Sequence, residues 1–261
     1  MSGTFHSAVG AGKRRRIRRL FGADGRTVLV ALDHAAYMAA GPSTAAVSTC
    51  AAGHPDGVLA TWHTARAHAD ELAGVGLVLR VDGGVSDLGQ ASTEDVSDVL
   101  YRAEQALAIG ADALVLLAFP GAADEHRSLQ RLARLCAECE FLGMPVMAEM
   151  IPGGWGRSVE WSVENVRAAT RIGVELGADI IKTVCPGPPE DFSAVVEDCP
   201  VPVVALGGPK VDSEDDVVAL ARGVVEAGAA GVAFGRNVWG SADPAKLIGR
   251  LHDAVHGTPL S

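Results

Sequence analysis

Eight short apolar stretches constrain this chain more than any other feature of its sequence. They cover residues 27–32, 57–63, 75–81, 113–118, 145–150, 179–185, 201–206 and 231–234. Each is rich in branched or small apolar residues and closes on a polar or glycine-bearing turn, the pattern of a buried strand. Between them lie segments of helical character: 13–22, a segment opened by Gly41-Pro42-Ser43, 93–109, 124–141, 162–176, 190–196, 213–227 and 244–255. Gly110, Gly143, Gly177 and Gly228 supply their stop signals. Apolar strands that alternate with helices imply a parallel sheet covered by helices. Eight such units in 261 residues match a single (β/α)8 TIM barrel, with residues 1–26 as a basic helix and lead-in. A doubly wound open sheet is the alternative, but no GxGxxG follows the first strand.

A barrel of this kind gathers its chemistry at the C-terminal ends of its strands. Those ends carry Asp33, His63, Asp82, Glu149, Lys182, Gly207-Gly208 and Gly235-Arg236. Lys182 stands out within Asp-Ile-Ile-Lys-Thr-Val-Cys, because the chain has only four lysines against eighteen arginines. Burying an ammonium is costly, and a desolvated lysine is a nucleophile that forms Schiff bases with carbonyls. The bland alternative is a lysine at a strand end whose head group reaches solvent or a carboxylate.

The other candidates divide in the same way. Gly207-Gly208 and Gly235-Arg236, with Lys210 nearby, sit where such barrels bind phosphate; they are otherwise tight turns needing glycine. Asp33 can act as acid or base, pair with Lys182, or cap a helix. His34, one residue on, points the other way by alternation. Glu149 shares a strand face with Ile151 and is either a proton carrier beside Lys182 or a structural partner of Arg80 or Lys182. Arg80 and Asp82 form an inward pair, structural or substrate-binding. Trp62 reads as packing.

Composition narrows the classes. The formal charge of −10 argues against nucleic acid as a partner. No apolar run reaches the length of a membrane span. The basic run from Lys13 to Arg19 has no apolar segment behind it, so it reads as a solvated helix face or a subunit contact in a homo-oligomer rather than a leader. Five scattered cysteines suit reduced thiols in a cytoplasmic protein, and Cys136-x-x-Cys139 falls within a helical pattern with no second pair. No group of His, Cys and carboxylates shows ligand spacing, so neither a metal nor a cofactor is expected.

The stretches 18–34 (RRLFGADGRTVLVALDH), Gly41-Pro42, 178–183 (ADIIKT), 202–210 (PVVALGGPK) and 229–237 (AAGVAFGRN) together resemble the archaeal-type class I aldolase family. That resemblance implies a TIM barrel with Lys182 as the Schiff-base lysine, Asp33 as the active-site aspartate, and a phosphate site at Gly207, Gly208, Gly235 and Arg236. It implies a phosphorylated ketose or ketone as substrate. Some relatives join dihydroxyacetone phosphate to aspartate semialdehyde. One departure matters: the family's proton-transferring tyrosine stands where this chain has Ile151, which leaves Glu149 as the available substitute. A related thiolase also lacks that tyrosine, so acyl transfer on a phosphorylated diketone is a second reading. A barrel that binds a sugar phosphate without turnover is a third.

Overall fold

The computed structural model describes residues 10–38, 40–84 and 96–257. In chain order the strands are β1 (Thr27–Ala31), β2 (Gly57–Ala60), β3 (Gly76–Arg80), β4 (Asp82–Gly84), β5 (Val96–Val99), β6 (Ala113–Ala118), β7 (Val146–Met150), β8 (Ile180–Thr183), β9 (Val203–Leu206) and β10 (Gly231–Phe234). Eight of them close into a barrel in the order β1-β10-β9-β8-β7-β6-β3-β2. Every pairing around it is parallel, as eight strand-then-helix units require. The helices are α1 (Ala11–Ile17), α2 (Thr44–Ala52), α3 (Trp62–Ala67), α4 (Ala103–Ala108), α5 (Glu125–Leu142), α6 (Val163–Glu175), α7 (Phe192–Val196), α8 (Glu214–Glu226), α9 (Arg236–Trp239) and α10 (Pro244–His256).

Alternation along the strands sorts side chains into two cores. Val28, Val30, Val58, Ala60, Leu79, Leu114, Leu116, Ala148 and Ile181 point outward and join the residues beneath the helices. Leu29, Leu59, Val78, Val115, Met147, Ile180 and Val204 point inward and fill the lower barrel. The next inward positions on β3, β7 and β8 are Arg80, Glu149 and Lys182, so a charged layer sits directly above an apolar plug.

Three local expectations need correction. His63 does not end a strand: β2 stops at Ala60, and Thr61 caps α3 by accepting the Thr64 amide at 3.1 Å, which leaves His63 exposed on a helix. Trp62 packs as expected, stacked on Tyr101. The helix expected over 93–109 is only α4; before it, β5 pairs antiparallel with β4, and residues 93–95 lie outside the described residues. The basic run is a solvated face only in part: Arg14, Arg15, Arg18 and Arg19 are exposed, but its first residue turns inward. Lys13 is 3% exposed and pairs with Asp179 at 3.0 Å and Glu140 at 2.6 Å. Ile17, Leu20 and Phe21 join the inner barrel core, so α1 and the turn after it close the floor of the barrel.

Candidate active site

At the top of the barrel the inward layer converges on one guanidinium. Arg80, 1% exposed, donates from Nε to Asp33 Oδ2 at 2.8 Å and from Nη1 to Asp82 Oδ1 at 3.2 Å, and its Nη2 bonds Glu149 Oε2. The other oxygen of Glu149 receives Lys182 Nζ at 2.7 Å. Glu149 and Lys182 are register partners on the adjacent strands β7 and β8, so backbone pairing itself sets that contact. Lys182 is 4% exposed, Glu149 2% and Asp33 0%. The apolar strand therefore does not leave its lysine unpartnered; it delivers the ammonium to a carboxylate that Arg80 fixes from the other side.

Burial and charge act against each other here. Burial pushes the Glu149 carboxyl up, but the charges of Lys182 and Arg80 outweigh it and hold the group below the usual carboxylate range. Asp33 behaves alike: burial raises it, and Arg80, Lys182 and His34 bring it down further. For Asp82 burial wins over Arg80 and over the Leu117 amide that donates to Oδ2 at 2.8 Å, so this carboxyl lies above the usual range. Asp33 Oδ1 is buried with no hydrogen-bond partner. His34 Nδ1 stands 3.8 Å from it, also buried and unpartnered. Burial, with the charges of Lys182 and Arg236, pushes the His34 imidazole below its ordinary range despite Asp33. His34 thus faces the site, against the outward direction that alternation suggested, because the chain leaves β1 and enters a 3-10 turn at Asp33–Ala36.

The two glycine turns after β9 and β10 lie side by side. Arg236 donates from Nη2 to the Gly208 carbonyl at 3.0 Å, and Asn237 donates from Nδ2 to the carbonyls of Gly207 at 3.2 Å and Pro209 at 3.1 Å. Asn237 also accepts the Val211 amide at 2.9 Å. Gly208 has φ +63°, a left-handed backbone that glycine adopts without strain. Gly235 is held to glycine by proximity: a Cβ there would stand 2.2 Å from His34 Cε1. Lys210 is further out, its Nζ on the Gly240 carbonyl at 3.3 Å. Ile151 is fully buried, in an apolar cluster with Leu117 and Phe119.

Sequence reasoning missed Asn237, whose binding of three backbone groups holds the two turns together. The Gly-Arg-Asn order after β10 was a usable signal. It also missed Tyr37, which stands against His34 with ring centroids 6.2 Å apart; burial and then Asp33 push its phenol well above the ordinary range. Missed too is a grouping at the opposite end of the barrel, where Asp56 meets His252 and His256. No described helix is long and apolar enough to cross a membrane.

A buried amine with a carboxylate in hydrogen-bond reach, inside a closed parallel barrel, is the equipment of lysine-dependent carbonyl chemistry, and class I aldolases are the class of barrel enzyme that uses it. Comparison with known proteins leads to the same class. Residues 27–241 match the family model of the DeoC/LacD family aldolase, and the chain belongs to that family. Over 248 residues it is 33% identical to 2-amino-3,7-dideoxy-D-threo-hept-6-ulosonate synthase 1 of Archaeoglobus fulgidus, covering 94% of this chain and 92% of that protein. It is 30% identical over 250 residues to 2-amino-4,5-dihydroxy-6-oxo-7-(phosphonooxy)heptanoate synthase of Streptomyces griseus, covering 93% and 90%. A solved Schiff-base-forming fructose-1,6-bisphosphate aldolase superposes with a TM-score of 0.82 at 30% identity, covering 93% of this chain and 99% of that one. The enzyme is a class I aldolase.

Proposed function

We propose that the chain joins a phosphorylated ketone of the dihydroxyacetone phosphate type to an aldehyde, with Lys182 as the Schiff-base amine. The observation that carries this reading is the 2.7 Å contact between Lys182 Nζ and Glu149 Oε1. Glu149 accepts a proton from the ammonium, and the freed amine attacks the donor carbonyl carbon. The carbinolamine takes a proton on its hydroxyl, loses water and becomes an iminium. The iminium draws electrons from the adjacent carbon, whose proton leaves to Glu149 as the enamine forms. That carbon then attacks the aldehyde carbonyl, and the new alkoxide takes a proton back. Hydrolysis of the product iminium releases Lys182. Each time Lys182 passes from charged to neutral the pull on Glu149 changes, which suits one carboxylate to both halves of the cycle.

Asp33 is the competing proton carrier. Its unpaired Oδ1 also suits a hydroxyl of the substrate. Arg80 positions Asp33, Asp82 and Glu149. The phosphate is assigned to the turns of Gly207, Gly208, Gly235 and Arg236, with His34 beside them and Lys210 at the outer edge, so that its binding positions the reacting carbon.

Aspartate semialdehyde is the proposed acceptor. The product named for the Streptomyces griseus relative supports this choice. Breaking its C4–C5 bond by a reverse aldol step yields a three-carbon phosphorylated hydroxyketone and a four-carbon amino acid aldehyde. Borohydride added with dihydroxyacetone phosphate should trap a secondary amine, located on Lys182 by peptide mass spectrometry. An adduct on another lysine, or none with any ketose phosphate, overturns the assignment. An aldehyde screen with the same donor identifies the acceptor, and acyl transfer to coenzyme A in its place supports the thiolase reading.

A further inference from the structure

At the N-terminal end of the barrel, away from the Lys182 layer, α10 ends against the lead-ins to β1 and β2. His252 and His256 are one helical turn apart, on one face of α10, with rings stacked at 5.0 Å between centroids. Asp56, the residue before β2, completes a group whose ligand atoms all lie within 4.8 Å of one another. His256 Nε2 stands 3.0 Å from Asp56 Oδ2.

Three features separate this group from an ordinary salt bridge. The His252 Nε2 atom is buried with no hydrogen-bond partner, although His252 shares its group with the Asp56 carboxylate and the His256 imidazole. Hydrogen bonding within the group does not satisfy it, because both ring nitrogens of His256 are already engaged, by Asp56 and by Asp24. Moreover, each member of the group has a contact outside it, although Asp56 uses for it the same Oδ2 that faces His256. Asp56 Oδ2 accepts the Val28 amide at 2.6 Å, His256 Nδ1 meets Asp24 Oδ2 at 2.9 Å, and His252 has a backbone hydrogen bond to His54. A metal-ligating imidazole commonly donates its second N–H to a carboxylate or carbonyl, which fixes its tautomer and aims its lone pair. Here the two imidazoles are held that way, and the backbone amide of Val28 fixes the carboxylate beside them.

We propose that Asp56, His252 and His256 bind a first-row divalent metal ion of the zinc type, and that this ion fastens the last helix to the first two strands. Two neutral nitrogens and one carboxylate oxygen suit such an ion, with water completing its coordination. Binding requires the proton shared between His256 Nε2 and Asp56 to leave, so protons are released as the metal enters. The site holds no group of the proposed carbonyl chemistry. Its role is structural, and it stands or falls independently of the reaction assigned to Lys182.

The test uses the full chain, stripped with EDTA and returned to chelator-free buffer. Zinc titrated by calorimetry should bind saturably at one ion per chain, with proton release that depends on the buffer. Cobalt in its place should give the visible absorption of a four- or five-coordinate nitrogen–oxygen site. The melting temperature should rise with zinc, while borohydride trapping is the same with and without it. His252→Gln is the decisive variant, since Nε2 makes no contact in the structure whose loss would unfold the chain. It should fold with normal circular dichroism and bind zinc at least about 10- to 100-fold more weakly, the scale of outer contacts alone. Asp56→Asn should weaken binding similarly. Absence of saturable binding to the stripped protein overturns the proposal. So does unchanged affinity in a folded His252→Gln.

Discussion

At the floor of the barrel, Asp56, Asp112 and Asp179 each stand just before a strand and accept the first or second amide of the neighbouring one: Val28 at 2.6 Å, Leu77 at 3.1 Å and Val146 at 2.9 Å. Each also has a basic partner, His256, Arg19 or Lys13. At the top, Asp33, Asp82 and Glu149 share one arginine, Glu149 also meets Lys182, and among the described residues only Asp82 of the three accepts a backbone amide. The floor carboxylates are tied to the backbone and so set where strands begin relative to one another. The top carboxylates hold side chains to side chains, and one of them keeps an unused oxygen. Backbone partners cannot leave without unfolding; a lysine can give up a proton and take a substrate. On this comparison, changes at the top should cost activity and changes at the floor should cost stability.

The largest effect expected is at Lys182. Lys182→Arg keeps a cation beside Glu149 but offers no nucleophile at neutral pH, so turnover should fall roughly 10⁴- to 10⁶-fold, with borohydride trapping lost and the fold retained. Appreciable steady-state turnover by this variant would move the chemistry elsewhere. Next is Glu149→Gln, which should still form the trapped imine yet turn over about 10²- to 10⁴-fold more slowly. If it turns over normally and Asp33→Asn abolishes exchange of the donor α-proton with solvent, the proton belongs to Asp33.

Arg236→Ala should raise KM for the phosphorylated donor by about 10- to 100-fold, the equivalent of a charge-assisted contact worth roughly 1.5–3 kcal/mol. Unphosphorylated analogues should change little; equal losses for both would make Arg236 a brace for the Gly208 turn and no more. On the floor, Lys13→Met should lower unfolding free energy by about 2 kcal/mol in urea, because Asp179 is left without its buried cation, while kcat stays put. A fall in kcat at unchanged stability would erase the contrast between the two ends.

The smallest effect is in acid. Asp33 and Glu149 are held below their ordinary range in the fold, so their contribution is full above the unfolded values, near pH 4, and is lost as pH falls through the folded ones. Glu149→Gln should therefore flatten the decline in urea-measured stability below about pH 4. A slope matching the parent would show that other groups carry that limb.

Fold and site were legible to different depths. The eight apolar stretches, the helices between them and the glycine stops are local patterns, and periodicity reports them directly. Beta-strand boundaries were read too long at residues 61–63, because a threonine cap is a weaker signal than the apolar run it ends. The hairpin of β4 and β5 was invisible, since its pairing joins residues across a stretch with no strand pattern of its own. His34 was assigned the wrong direction because alternation holds only while the strand continues.

The sequence by itself determined that eight apolar strands alternate with helices and that a lysine sits on the sixth of them among apolar neighbours, because strand periodicity and residue type are properties of consecutive residues; closure into a barrel was settled in space. Only the tertiary structure decided what that lysine touches. Register between β7 and β8 sets Glu149 opposite Lys182, and barrel closure brings Arg80 between Asp33 and Glu149. It also decided that Lys13 is buried and that Asp56 meets His252 and His256, from positions about two hundred residues apart. The physical reason is the same in each case. A side chain's partners are fixed by which strands and helices become neighbours in space, and no short-range pattern encodes the distance between residues far apart in the chain.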